Sequence, residues 1–525
     1  MNSEFTFPMS EAVRKSYKEG QEDETLLPQV LTDSQGTSSG RIKKGDSVIF
    51  YNIRGEREIE LTRSLTEKNF TEFPVIPDLD LHFATMIEYQ KGLNTSVAFP
   101  PEGTLHDTLG DIISSHNLQQ AKITEAEKAV HVGFFFNGKK TELLPGEERI
   151  VVPTRKDVAL FDEAPEMSID KITAATINKI HDHNCNFIVV NLPNVDVVGH
   201  IENEAAIIRA IEAVDKHAGI IIDAAQKENM PVIVTADHGT VEKWLYPDGA
   251  VDTGHTDSQV PFILLHPDKN LALRKIGELT DIAPTVLNIL GLKPSPFMTG
   301  SSLIKDTSFA SSKRLLLIIL DGWGLNENVQ ANLISRARTP VMDNLAMNYP
   351  MTELAAAGEA VGLPAGTVGN SEAGHLHIGA GRKIFSDRLK IDQAIADKTF
   401  FTNDAFLSVM RKAKNAGRPL HLIGIVSFFS SHGSINHLFA LMDLAKKEGI
   451  KELYMHSMLG RRGEMPESGA QYIKKIEEKA ISLELGTVVS VIGRYWSMDR
   501  EENWDRIEKT YRMLVYGEGK HICGV

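Results

Sequence analysis

The chain has 525 residues, enough for two or more domains with a core each. Its 56 Lys and Arg against 70 Asp and Glu leave a net charge of −14, which argues against nucleic acid as the main partner. The two cysteines, Cys185 and Cys523, fit a reducing compartment, and neither a membrane-length apolar run nor a basic-apolar leader is present, so a cytoplasmic protein without a membrane partner is expected.

Residues 46–51 (D-S-V-I-F-Y) read as a strand. The following N-I-R-G-E-R-E places Arg54 and Arg57 on one face at the start of an expected helix, where forked donors can grip a phosphate or carboxylate. With Glu56, Glu58 and Glu60 beside them, the same pair also reads as a solvated charged face. Residues 96–101 (S-V-A-F-P-P) look like a crossover, because two prolines favour extended chain. From Gly103 the pattern turns α/β: a helix over 107–116, then a strand over 130–136 (V-H-V-G-F-F-F), with Lys128 just before it. As a bare lysine, Lys128 reads as surface.

A helix over 168–183 precedes the stretch 187–200, F-I-V-V-N-L-P-N-V-D-V-V-G-H. If a helical turn follows its strand, Asp196 and His200 stand at i and i+4 on one face, close enough to share an ion. After a long helix over 204–228 comes 232–239, V-I-V-T-A-D-H-G, an apolar run ending in Asp237 and His238. Carboxylate and imidazole at the C-terminal end of a buried parallel strand suit a divalent metal, although a capped turn looks the same. His255 follows in D-T-G-H-T-D, then a strand over 260–265 and a helix over 278–290. The polar, serine-rich 305–314 reads as a flexible connector. Beyond it, L-L-L-I-I-L runs straight into Asp321, and a buried carboxylate there needs a cation or strong donors.

Three Asp and three His in strand-end or loop positions are enough for two metal ions. G-T-V-G-N-S-E-A-G-H (366–375) is a glycine-dense loop entering a helix. Ser371 there is placed for phosphate chemistry at a helix N-terminus, or for a simple N-cap. In the last segment, three apolar strands empty into His432, Arg462 and the Arg494–Arg500 stretch, which makes an anionic-substrate pocket at one sheet edge.

These stretches carry a resemblance. I-L-D-G-W-G, T-P-V-M-D, G-N-S-E-A-G-H, G-A-G-R, I-G-R-Y-W-S-M-D-R, W-D-R-I-E-K, A-F-P-P, T-E-A-E-K, F-F-F-N-G, P-G-E-E-R, V-G-H, T-A-D-H-G and H-T-D cover nearly all of the chain. The sequence resembles the cofactor-independent (2,3-bisphosphoglycerate-independent) phosphoglycerate mutases of the alkaline phosphatase-like superfamily. In that family the first motif lies near the N-terminus and T-A-D-H-G near the C-terminus, so this chain reads as a circular permutant joined through 305–314. The resemblance implies an α/β fold of two domains: a phosphatase-like metal-binding domain over 102–385, and a smaller transferase-like domain built from 1–98 and 386–525.

It further implies Ser371 as the nucleophile that becomes phosphoserine. One metal site would be Asp196, His200 and His255; the other Asp321, Asp237, His238 and Ser371. Two divalent ions, commonly manganese, are implied. His432, Arg462, Arg494, Arg500, Arg54, Arg57 and Lys128 match the substrate-binding set. The implied reaction interconverts 3- and 2-phosphoglycerate in a monomer, with domain closure excluding water. Gly463 stands where the family has a second Asp, and the His432 loop is altered, so a phosphatase with impaired or redirected mutase chemistry is the alternative.

Overall fold

The computed structural model describes residues 7–246, 248–268, 271–305, 309–427, 432–460 and 467–524. The chain forms two compact units, one from residues 1–101 with 387–525, the other from 102–386. Their strands, in chain order, are β1 (Gln29–Thr32), β2 (Ser47–Phe50), β3 (His82–Ile87), β4 (Ser96–Phe99), β5 (Gln119–Glu125), β6 (Glu147–Val152), β7 (Cys185–Leu192), β8 (Val232–Thr235), β9 (Val260–Leu265), β10 (Ile276–Glu278), β11 (Leu315–Leu320), β12 (Met351–Ala355), β13 (Leu420–Ile425), β14 (Leu453–Leu459), β15 (Thr487–Gly493) and β16 (Lys520–Cys523).

In the split unit the sheet order is β16-β1-β15-β14-β13-β2-β3-β4. The run from β15 to β4 is parallel, and β1 lies antiparallel to β15. Strands from both ends of the chain alternate here: Leu420 of β13 pairs with Ser47 of β2.

In the continuous unit the order is β10-β12-β9-β8-β11-β7-β5-β6. Five neighbours, β8 to β6, are parallel, and β9 turns antiparallel to β8. Every residue of β8, β9 and β11 is buried, as continuous aliphatic runs require when helices cover both faces. Glu204–Lys227 is the longest of the covering helices that bear on the site's unit, capped by Asn203, whose Oδ1 accepts the Ala206 N–H.

Four elements differ from the sequence reading. Residues 96–99, expected as part of a crossover, form the edge strand β4, paired with β3. Residues 130–136 are not a strand: His131–Phe135 is a π-helical turn continuing a 3₁₀ turn over Ala126–Lys128. The strand of this region is β5, whose buried positions include Gln120 and Lys122 and so escape an apolar pattern. Arg54 and Arg57 lie in the turn before the helix Ile59–Thr66 rather than on it, because Glu58 is its N-cap. No helix among the described residues is long and apolar enough to cross a membrane. Cys185 and Cys523 are free thiols.

Candidate metal centre

The C-terminal ends of β7, β8 and β11 lie side by side in the continuous unit. Each strand ends in a turn that aims a carboxylate at the same point: Asp321 directly after β11, Asp237 two residues after β8, and Asp196 in the short helix Asn194–Gly199 after β7. The Asp196 N–H donates to Asp321 O at 3.1 Å, so backbone pairing sets the first and last of these together. Gly322 stands at φ +85° and packs on Asp196; a Cβ there would come within 2.9 Å of its Cα.

Ser371 opens the helix Ser371–Ala380, but the cap is Asn370, whose Oδ1 accepts the Ala373 N–H. The serine Oγ is thereby left for other partners. It accepts a hydrogen bond from Lys128 Nζ at 2.6 Å, stands 2.9 Å from His238 Nε2, and donates to Asp321 Oδ1 at 3.4 Å. Lys128 Nζ also donates to Asp196 Oδ2 at 2.6 Å and Asp321 Oδ1 at 2.8 Å. Asp196 Oδ1 faces three imidazole Nε2 atoms: His255 at 3.1 Å, His200 at 3.4 Å and His238 at 3.7 Å.

The electrostatics follow from three carboxylates in a dry pocket. Burial pulls the Lys128 ammonium down, but Asp321, Asp196 and Asp237 overcome it and hold its pKa above the usual lysine range. Burial likewise opposes His238, and the charge of Asp237, then Asp321 and Asp196, raises it to about 10. Burial works against ionised Asp321, yet Lys128 and His238 hold its carboxyl well below the ordinary range. The hydrogen bond to Asp196 raises His200.

Two groups have ligand atoms within 4.8 Å of one another: Asp196, His238 and His255, and Asp237, Asp321 and His375. His200 adjoins the first, its Nε2 3.1 Å from that of His255. Both oxygens of Asp237 are fully buried and accept no hydrogen bond among the described residues. Three buried carboxylates against the Lys128 ammonium and the His238 imidazolium leave one negative charge uncompensated, which is costly at this depth without a further cation. Oxygen and imidazole donors of this kind fit divalent ions.

Sequence reasoning missed the layer behind these groups. Asn191 on β7 donates to Asp321 Oδ2 at 2.7 Å and stands 3.1 Å from His375 Nε2. His375 Nδ1 donates to Ser371 O at 2.9 Å and approaches Asp237 Oδ2 at 3.2 Å. The i, i+4 spacing of Ser371 and His375 was a usable signal; nothing in the β7 pattern singles out Asn191.

The split unit gathers its own cationic set at the C-terminal ends of β2, β13 and β15. Arg54 Nη2 and Arg500 Nη1 share Glu56, at 3.1 and 3.0 Å. Arg57 Nη1 donates to Met498 O at 3.0 Å. Arg494 begins the short helix after β15, its Nε 3.9 Å from Glu24. His432 is buried, with Nδ1 3.3 Å from Glu58 Oε1. Arg462 and Gly463 lie outside the described residues.

A parallel α/β sheet with convergent strand-end carboxylates and imidazoles makes a metal-dependent active centre. Residues 24–294, just over half of the chain, match the family model described as the Metalloenzyme superfamily, and residues 391–523 match that described as the BPG-independent PGAM N-terminus. The chain belongs to the Metalloenzyme superfamily, and dependence on a divalent metal goes with that membership.

Among curated proteins it is similar to the 2,3-bisphosphoglycerate-independent phosphoglycerate mutase of Moorella thermoacetica, 40% identical over 56% of this chain and 57% of the relative. The proteins of the same name from Clostridium beijerinckii and Thermomicrobium roseum are each 41% identical over the same shares, 56% and 57%. The chain thus spans little more than half the length of these relatives. A crystal structure of Leishmania mexicana phosphoglycerate mutase at low cobalt concentration aligns over 52% of this chain and 53% of that one, at 29% identity and a TM-score of 0.37.

Proposed function

We propose that the protein is a 2,3-bisphosphoglycerate-independent phosphoglycerate mutase, interconverting 3- and 2-phosphoglycerate through phosphorylated Ser371. The observation that carries this is the Ser371 hydroxyl, which meets Lys128 Nζ at 2.6 Å, His238 Nε2 at 2.9 Å and Asp321 Oδ1 at 3.4 Å in one buried site. The names of the similar proteins support it, as does the match of residues 391–523.

In this reading Asp196, His200 and His255 hold one divalent ion, and Asp321, Asp237, His238 and Ser371 the other, both manganese. Such ions would ease loss of the serine proton and neutralise charge on the phosphoryl oxygens. Ser371 Oγ attacks phosphorus, its bond to the glycerate oxygen breaks, and the Lys128 ammonium faces the negative charge that gathers there. Arg54, Arg57, Arg494 and Arg500, with His432 and Arg462, hold the glycerate carboxylate and hydroxyls by forked or single donors. The glycerate then presents its other hydroxyl to the phosphoserine.

The same reading makes the enzyme a monomer of the cytoplasm. It makes the continuous unit phosphatase-like and the split unit transferase-like. Circular permutation is supported by order: the model described as an N-terminus matches residues 391–523, behind the Metalloenzyme match at 24–294.

An enolase-coupled assay with Mn²⁺, run beside a phosphate-release assay, tests the proposal. The expected result is 2-phosphoglycerate formation that disappears in Ser371→Ala. Phosphate release with no 2-phosphoglycerate would assign a redirected phosphatase instead.

A further inference from the structure

The mutase reading leaves a chemical requirement that most of its substrate-binding groups cannot meet. One glycerate oxygen must receive a proton as its bond to phosphorus breaks, and the other must lose one as its bond forms. Arg54, Arg57, Arg494 and Arg500 stay protonated at any physiological pH and can only orient and neutralise. His432 is the described member of the split unit's set whose side chain has nitrogens that can both give and take a proton.

Glu58 stands behind it. The carboxylate is fully buried, with Oε1 3.3 Å from His432 Nδ1. It is held from two sides: Asn52 Nδ2 donates to Oε1 at 2.7 Å and the Arg57 N–H to Oε2 at 3.1 Å. Asn52 is fixed in turn, its Oδ1 accepting the Ile425 N–H at 2.8 Å. That approach needs glycine at 424, where a Cβ would meet Asn52 Oδ1 at 2.8 Å and the Tyr51 ring at 2.6 Å. Tyr89, the other buried phenol here, spends its hydroxyl on Phe50 O and Asn52 O, both at 2.9 Å. The His432 backbone is tied to the same loop, since the Ile53 N–H donates to the His432 carbonyl oxygen at 2.7 Å. A carboxylate taken out of water at this depth is costly unless it meets a cation, and two neutral donors do not supply one. Among the described residues, the ionisable side-chain nitrogen that faces it is His432 Nδ1, at 3.3 Å.

We propose that His432 is the acid–base residue for the glycerate hydroxyls and that Glu58 is its positioning residue. The proposal rests on the mutase reading. Glu58 Oε1 faces Nδ1 at ion-pair distance, 3.3 Å, so its charge favours the proton on Nδ1 and leaves Nε2 as the exchanging atom. In the first half-reaction the Ser371 Oγ–P bond forms and the substrate O–P bond breaks, and the imidazolium gives its Nε2 proton to the departing glycerate oxygen. In the second, the other hydroxyl gives its proton to Nε2 as its oxygen bonds phosphorus and the Ser371 Oγ–P bond breaks. Ser371 passes its own proton to Asp321 Oδ1, the acceptor it faces at 3.4 Å, in the first half and takes it back in the second, so the enzyme ends as it began. Glu58 is sealed from solvent and never meets the substrate.

Glu58→Gln keeps the shape and removes the charge. In the enolase-coupled assay kcat is expected to fall ~10- to 100-fold with KM for 3-phosphoglycerate within about twofold. The limb of the pH–rate profile that reports His432 should move, and Glu58→Asp should recover part of kcat. An unchanged kcat and profile, or a loss carried wholly by KM, would overturn the role. A second readout separates this from the mutase reading: ¹⁵N NMR of the His432 ring in the full chain. Changed ring-nitrogen shifts in Glu58→Gln support the pair whether or not the wild type turns over. Unchanged shifts overturn the pair even in an active mutase.

Discussion

Gly379→Ala probes how the Ser371 helix is seated on the segment that carries Lys128. A Cβ on Gly379 would lie 1.9 Å from Phe136 O and 2.7 Å from its carbonyl carbon. The atom it meets is backbone, so no rotamer change relieves the overlap. Reaching an ordinary C···O contact of about 3.3 Å requires the two segments to part by ~1.4 Å. Phe136 cannot yield cheaply. It closes the π-helical turn, its ring is fully buried with Lys122 Nζ 5.3 Å from the centroid, and Asn137 beyond it is held by Lys122 and by Glu147 Oε2. Overpacking of this kind costs ~3 kcal/mol, the upper end of the usual range.

The displacement reaches the centre, because Lys128 heads the segment that ends at Phe136, and Ser371 heads the helix that holds Gly379. Parting them stretches the 2.6 Å Lys128–Ser371 contact past hydrogen-bonding range. A misplacement of about 1 Å costs on the order of 10²-fold in rate. The expected result is that fall in kcat in the enolase-coupled assay, with a lower guanidinium midpoint. Gly103→Ala, where a Cβ meets nothing within 4 Å, should leave both as in the wild type. A Gly379→Ala protein with wild-type turnover and midpoint would refute the claim that this contact sets the lysine.

Lys122 gives a pH dependence. Burial outweighs the Glu147 carboxylate at 3.2 Å and lowers its ammonium from 10.5 to about 8 in the folded chain. Between those values the unfolded chain binds more protons, so folding stability rises with pH, by about 3 kcal/mol in all. Guanidinium midpoints of wild type and Lys122→Met should diverge in favour of wild type from pH 7.5 to 10; a constant difference would refute the assignment. Asn191→Leu removes the donor on Asp321 Oδ2 and should weaken Mn²⁺ binding ~10- to 100-fold by calorimetry, whereas an unchanged Kd would show that Asn191 does not orient the carboxylate.

What the sequence disclosed depended on whether burial and polarity agreed. In β7, β8 and β11 they do: aliphatic runs fill both faces, and the first carboxylate after each run falls at the strand's C-terminal edge. In β5 they conflict, since Gln120 and Lys122 are buried because they bond Ser114 and Glu147, partners that are distant or patternless in sequence. The apolar V-H-V-G-F-F-F drew the strand assignment instead, although Val130 is exposed and the segment winds as a π turn. Lys128 looked like surface for a related reason. A buried lysine is excluded by composition alone and is admitted only by three aspartates from three other strands.

The split unit shows why its functional groups could be named singly but not joined. Arg54, Arg57 and Glu58 follow β2, near the start of the chain; His432, Arg494 and Arg500 follow β13 and β15, near its end. They become neighbours through a single register, Leu420↔Ser47 to Ile423↔Phe50, and through the Ile53–His432 backbone bond just beyond it. Because the side-chain period of a strand is 2, a slip of one residue would turn the outward set inward and separate every one of these pairs. The β2–β13 pairing is therefore both a structural join and the assembly step for the cationic set and for Glu58–His432. Neither terminal piece holds these groups together without the other.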